Sequence, residues 1–242
     1  MRLPRLVVLA VGISAALAMA VPATAETHQL PEQVPDQGES DHGNPVEDCL
    51  PDEDAQPDDV DEAQVAECIL DALPDIVGST HAANVIAIVR NGIATGFGDG
   101  TFRPEADVTR GQMATALSLA LDLEPSENAE LPDDVPPDSA HAHGIAAILE
   151  GEIAQGRDDG SFGPHEAVSR GHLATMLANA LELVGENTDE LPEDARGSVH
   201  AEAIAALLGE QIVVGYEDGT FRPAENVNRG QMATFIAGAL GL

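Results

Sequence analysis

One nine-residue pattern occurs three times, and it constrains the fold more than any other feature of the chain. It reads Gly96-Phe-Gly-Asp-Gly-Thr-Phe-Arg-Pro104, then Gly156-Arg-Asp-Asp-Gly-Ser-Phe-Gly-Pro164, then Gly215-Tyr-Glu-Asp-Gly-Thr-Phe-Arg-Pro223. A histidine stands 15 residues ahead of each copy, at His81, His141 and His200. An Arg-Gly pair follows each, at Arg110-Gly111, Arg170-Gly171 and Arg229-Gly230. The distance from His to Arg is 29 residues in every copy, and the copies recur after 60 and then 59 residues. Repetition at fixed offsets predicts tandem units. Each unit is too small to bury its own apolar faces, so three should share one core.

Each unit carries two helical patterns. In the first, Val85, Ile86 and Val89 recur as Ile145, Ile148 and Leu149, and as Ile204, Leu207 and Leu208. Spacing of three and four residues makes one apolar stripe. Gly at Asn91-Gly92, Gly151 and Gly209 is expected to supply a left-handed helix stop. In the second pattern, Met113, Leu117 and Leu121 recur as Leu173, Leu177 and Leu181, and as Met232, Ile236 and Leu240. Thr109, Ser169 and Asn228 stand where N-caps belong. Gln112 gives Thr109 the spacing of a capping box, Gln231 gives Asn228 a looser version, and His172 breaks it in the middle copy. Between the helices, Asp-Gly predicts a tight turn. Phe102, Phe162 and Phe221, three of only five Phe, are expected to plug the core beneath it.

The His-Ala helix, the Gly-x-x-Asp-Gly-Thr-Phe-x-Pro loop and the Thr-Arg-Gly-Gln helix start together resemble the S-layer homology (SLH) module. The resemblance covers about residues 75–242, and three tandem copies are that family's usual number. It implies a mainly α fold, with three helix-loop-helix repeats in a pseudo-three-fold bundle: 75–123, 134–184 and 194–242. It also implies an exported protein held non-covalently to a secondary cell-wall polymer, an acidic and often pyruvylated glycan, in grooves between repeats. By the resemblance, Arg110, Arg170 and Arg229 match the Arg that contacts the acidic ligand. Gly96, Gly156 and Gly215, with Asp99, Asp159 and Asp218, match the loop lining the groove. The family's Ala-Glu after that Arg is here Gly-Gln, Gly-His and Gly-Gln, and its Trp after the His is Ala82, Ala142 and Ala201.

The residues themselves point the same way. Six of the ten Arg fall at the loop-to-helix junctions. A helix N-terminus with free N–H groups and a neighbouring Arg suits a carboxylate or phosphate. The competing reading pairs each Arg with a nearby Asp; for Arg103, Arg157 and Arg222 pairing is the favoured one. The three His could suggest a metal site about the axis, but the favoured reading packs each under its own repeat. The Asp-Gly loops lack the alternating oxygen ligands of an EF-hand. No metal and no cofactor is therefore expected. The repeats leave too little chain for a catalytic domain, and no hydrolase signature motif occurs, so no enzyme is expected either. A rival reading is a structural module that packs against S-layer or other envelope proteins without glycan specificity.

Residues 1–25 read as a signal peptide, with Arg2 and Arg5, an apolar run from Leu6 to Val21 and an Ala23-Thr24-Ala25 cleavage site. The alternative is an uncleaved anchor, against which stands a run of about 16 residues, short of the roughly 20 that span a bilayer. No membrane contact is expected after cleavage. Residues 26–57 read as an acidic, disordered linker and 58–74 as a short helix capped by Asp58 or Asp59. Cys49 and Cys68 are the only cysteines. One disulfide is the simplest reading in an exported chain, ahead of two free thiols or a metal. The chain has 43 acidic residues, a net charge of −33 and no Lys. That charge repels phosphate backbones and anionic lipid, which excludes nucleic acid as a partner.

Overall fold

The computed structural model describes residues 44–50 and 61–242. The leader at 1–25 and most of the acidic stretch lie outside the described residues. Among those described, the elements are α1 (Glu62–Ala72), α2 (Ala82–Arg90), α3 (Arg110–Ala120), α4 (Ala142–Glu150), α5 (Arg170–Ala180), α6 (Glu193–Arg196), α7 (Ala201–Gly209) and α8 (Arg229–Leu240). Short 3-10 turns lie at Glu47–Cys49, Pro74–Ile76 and Thr188–Glu190. The fold is mainly α, and no described helix is long and apolar enough to cross a membrane.

The two helices of a repeat are not each other's main partners. α3 of the first repeat packs on α4 of the second, α5 on α7 of the third, and α8 returns to α2 of the first. The three repeats therefore close a ring with pseudo-three-fold symmetry. A cycle of backbone hydrogen bonds ties its centre. Val108 N donates to Val227 O at 2.9 Å, Val227 N to Val168 O at 2.8 Å, and Val168 N to Val108 O at 2.9 Å. The three valines are buried, so each repeat satisfies a backbone group that would otherwise be orphaned in the core.

The second helices start as their caps dictate. Thr109 and Gln112 form a full capping box, and so do Asn228 and Gln231, a stronger match than the sequence suggested. In the middle copy Ser169 still caps, while His172 Nδ1 turns to Ser169 Oγ at 2.8 Å. The histidines lie across the ring interface, not under their own repeats as the sequence reading had them. His141 seats on Gly111, His200 on Gly171 and His81 on Gly230, where a Cβ would come within 2.8, 2.4 and 2.6 Å of the ring. Their Nδ1 atoms bond Thr115, Thr175 and Thr234 Oγ1 at 2.9, 2.8 and 2.8 Å. Only Gly leaves room for this seat, which explains why Gly occupies that position in all three copies.

Three other expectations need correction. Gly92 is left-handed at φ +68°, but the equivalent positions in the other repeats are Glu152 at +56° and Gln211 at +59°. Gly151 and Gly209 lie one or two residues too early to serve, so those two helix ends carry a left-handed strain that Gly would relieve. Residues 44–50, assigned above to the disordered linker, are folded. Cys49 is bonded to Cys68 of α1, with the Cα atoms 5.5 Å apart, and Val46 is fully buried. The cap of α1 is Asp61, which accepts from the backbone of Ala63 and Gln64. The Asp-Gly turns adopt positive φ at Gly100, Gly160 and Gly219, and Phe102, Phe162 and Phe221 are fully buried beneath them.

Candidate functional site

Each ring interface brings the Arg of one repeat onto the Asp-Gly loop of the next. Arg110 Nε donates to Phe162 O at 2.8 Å and Nη2 to Gln155 O at 3.2 Å. Arg170 Nε donates to Phe221 O at 2.8 Å. Arg229 Nε donates to Phe102 O at 2.7 Å and Nη2 to Thr95 O at 2.9 Å. Each guanidinium also lies over the Phe ring of that loop, 4.3 to 4.7 Å from its centroid, a favourable cation–π geometry.

Among the described residues none of these three Arg pairs with a carboxylate. That departs from pairing with a nearby Asp: their partners are backbone carbonyls and rings. Arg170 and Arg229 are 4% and 7% exposed, while Arg110 is only partly buried. Burial lowers the pKa of all three, that of Arg229 to about 10, where Arg103 adds repulsion. The helix N-termini are not free. The N–H groups of Arg110 and Gly111 donate to Glu166 O and Pro164 O, those of Arg170 and Gly171 to Glu225 O and Pro223 O, and those of Arg229 and Gly230 to Ala106 O and Pro104 O. These N–H groups are therefore already engaged and are not open to an anion.

The predicted loop residues divide in their roles. Asp99 and Asp218 accept from Thr101 and Thr220, and pair with Arg103 and Arg222 at 2.8 Å. Those hydroxyls, then the arginines, hold both carboxyls at about 2. Asp159 accepts from Ser161. These Asp shape their own turns. Gly156 lines a cleft, whereas Gly96 lies beneath Leu73 and Pro45, and Gly215 is close to Thr220 O. The cleft at Gly156 measures about 420 Å³ and is bordered by Arg110, Arg157, Glu166, His172 and Asn179. Among the described residues no cluster of three or more His, Cys, Asp or Glu is arranged to hold a metal.

Sequence reasoning missed one set. Asp75 accepts from the N–H groups of Phe102 and Arg103, Asp134 from Phe162 and Gly163, and Asp194 from Phe221 and Arg222. In each loop this carboxylate clamps a residue of positive φ: Arg103, Gly163 or Arg222. The signal was present as Leu73-Pro74-Asp75, Leu131-Pro132-Asp133-Asp134 and Leu191-Pro192-Glu193-Asp194 ahead of the three His.

The model of the S-layer homology domain matches residues 73–114, 133–174 and 194–233. The chain is 31% identical over 153 residues to an endoglucanase of Bacillus sp. (strain KSM-635), which covers 60% of this chain and 16% of that protein. It is 26% identical over 150 residues to the cellulosome-anchoring protein of Acetivibrio thermocellus, 58% of this chain and 34% of that protein. It is 28% identical over 170 residues to the S-layer protein EA1 of Bacillus anthracis, 69% of this chain and 20% of that protein. The chain thus spans about a third or less of the length of these relatives. The three matched segments each run from the Asp clamp into the Arg helix, and together they take up half of the sequence: the chain belongs to the S-layer homology domain family.

Proposed function

We propose that the closed three-repeat body attaches this protein non-covalently to the cell wall by capturing an acidic secondary wall glycan between its repeats. The family supports a secreted, cell-surface location and an anchoring role for the repeats. Relatives named as a cell surface glycoprotein, a cellulosome-anchoring protein and an S-layer protein agree with it. The repeat region itself is not catalytic; the endoglucanase relative shares only 16% of its length with this chain.

One observation carries the glycan reading. In a chain with 43 acidic residues, three wholly or partly buried arginines at the repeat junctions pair with no described carboxylate. A buried charge without a counter-charge is costly. Carbonyls and rings offset part of that cost, and a carboxylate on the ligand would complete it with a charge-assisted bond. The net negative charge opposes approach of an acidic polymer at long range, and salt screens that repulsion.

Arg110 is the most accessible of the three and gives the cleanest test. Arg110→Ala should weaken retention on purified sacculi by about 10- to 100-fold, the worth of one charged hydrogen-bond set. Far-UV circular dichroism should stay unchanged. Undiminished retention would remove the arginine from the binding role and favour packing against an envelope protein.

A further inference from the structure

The three interfaces share one plan, a second Arg near each junction Arg (Arg157 by Arg110, Arg222 by Arg170, Arg103 by Arg229), but they differ in how far the junction guanidinium is covered. At the position after the first loop Gly, the copies carry Phe97, Arg157 and Tyr216. Phe97 lies with its ring centroid 4.8 Å from the Arg229 guanidinium carbon. Tyr216 lies 4.7 Å from that of Arg170, which also faces Phe221 and Phe235. In these two interfaces aromatic rings cover the Arg, and the Arg is buried. In the middle copy Arg157 replaces the ring. Gly163 lies against it, where a Cβ would come within 2.7 Å of Arg157 Nη2 and push that side chain aside. Where the first and third copies put Arg, at Arg103 and Arg222, the second puts Gly, and the displaced cation reappears six residues earlier.

The same interface holds two more substitutions. His172 stands where the other copies have Gln112 and Gln231, and Asn179 where they have Leu119 and Gly238. Arg110, Arg157, His172 and Asn179 all border the one cleft of about 420 Å³. Arg157 is held there by Glu166, so its guanidinium is parked on an exposed carboxylate that a ligand carboxylate could replace.

We propose that the cleft between the first and second repeats is the principal ligand site, taking one carboxylate-bearing sugar residue between Arg110 and Arg157, with His172 as its specificity-determining neighbour. This rests on the glycan reading above and adds that binding is one per chain. The charged and titratable groups facing His172 are Arg110 from α3, Arg157 and Glu166 from the loop, and the edge-on ring of His200 from α7, 4.7 Å away. Burial and then the two arginines lower the pKa of His172, so the free cleft holds it neutral at pH 7. A bound carboxylate offsets the two arginines and raises that pKa. Binding therefore takes up a proton and tightens as pH falls.

The test is calorimetric titration of the chain with polymer fragments released from purified sacculi, in buffers of different ionisation enthalpy. The expected result is one site per chain, net proton uptake on binding, and a loss of at least about tenfold in Arg157→Phe, which copies the first repeat. His172→Gln, which copies both other repeats, should keep the fold and abolish the proton uptake. Binding unchanged in Arg157→Phe, or two or three equal sites, would overturn this proposal while leaving glycan capture standing. No binding by the unaltered chain would overturn both.

Discussion

A chain ending at Asn187 will fail to fold as a two-repeat module. In an open solenoid each repeat leans only on its neighbours, and removing the last leaves the others standing. Here the third repeat closes the ring. Its loss strips α8 from α2 and α7 from α5. Val108 N loses Val227 O, and Val168 O loses Val227 N. The carbonyls of Thr95 and Phe102 lose Arg229, and His81 loses its seat on Gly230 and its bond to Thr234. The truncated chain should show little helical ellipticity and no cooperative melt, whereas the full chain should melt in one transition. A sigmoidal melt from the truncated chain, with helicity in proportion to its length, would show that ring closure is not what holds the repeats.

Phe162→Ala should destabilise the chain by about 3–5 kcal/mol, a large part of the roughly 5–15 kcal/mol that holds a domain together. The side chain is fully buried beneath the loop of the middle repeat. Its N–H donates to Asp134 and its carbonyl accepts from Arg110, whose guanidinium stands 4.4 Å from the ring centroid. The substitution therefore empties the core and loosens the floor of the cleft. Urea unfolding should move to lower midpoint, and wall binding should fall even under conditions where the variant remains folded. A shift under about 1 kcal/mol would mean that the loop does not rest on this ring.

The sequence carried the repeat number, the starts of the second helix in each repeat, the turn glycines and the buried Phe, because each depends on local spacing or local backbone geometry. Which helix packs on which was not legible. The stripe of Val85 and Val89 says that a face is buried, but not that α8 rather than α3 covers it. The Arg positions were legible and their partners were not. Arg229 reaches Thr95 and Phe102 through carbonyl oxygens, which every residue has, so no residue type marks the contact. The same applies to the helix ends, where Pro104, Pro164 and Pro223 accept through carbonyls. The clamp at Asp75, Asp134 and Asp194 was readable as a repeated Leu-Pro pair with an acid behind it, though an extra residue between Pro and the clamping Asp in the second and third copies blurred it. The left-handed positions at Glu152 and Gln211 were misplaced because Gly151 and Gly209 stood close by as better-suited residues.

Co-sedimentation of the chain with purified sacculi, before and after chemical removal of the secondary polymer, tests the central claim most directly. Capture of an acidic glycan at the repeat junctions predicts binding to intact sacculi and its loss once the polymer is gone. Equal binding to stripped sacculi would contradict it.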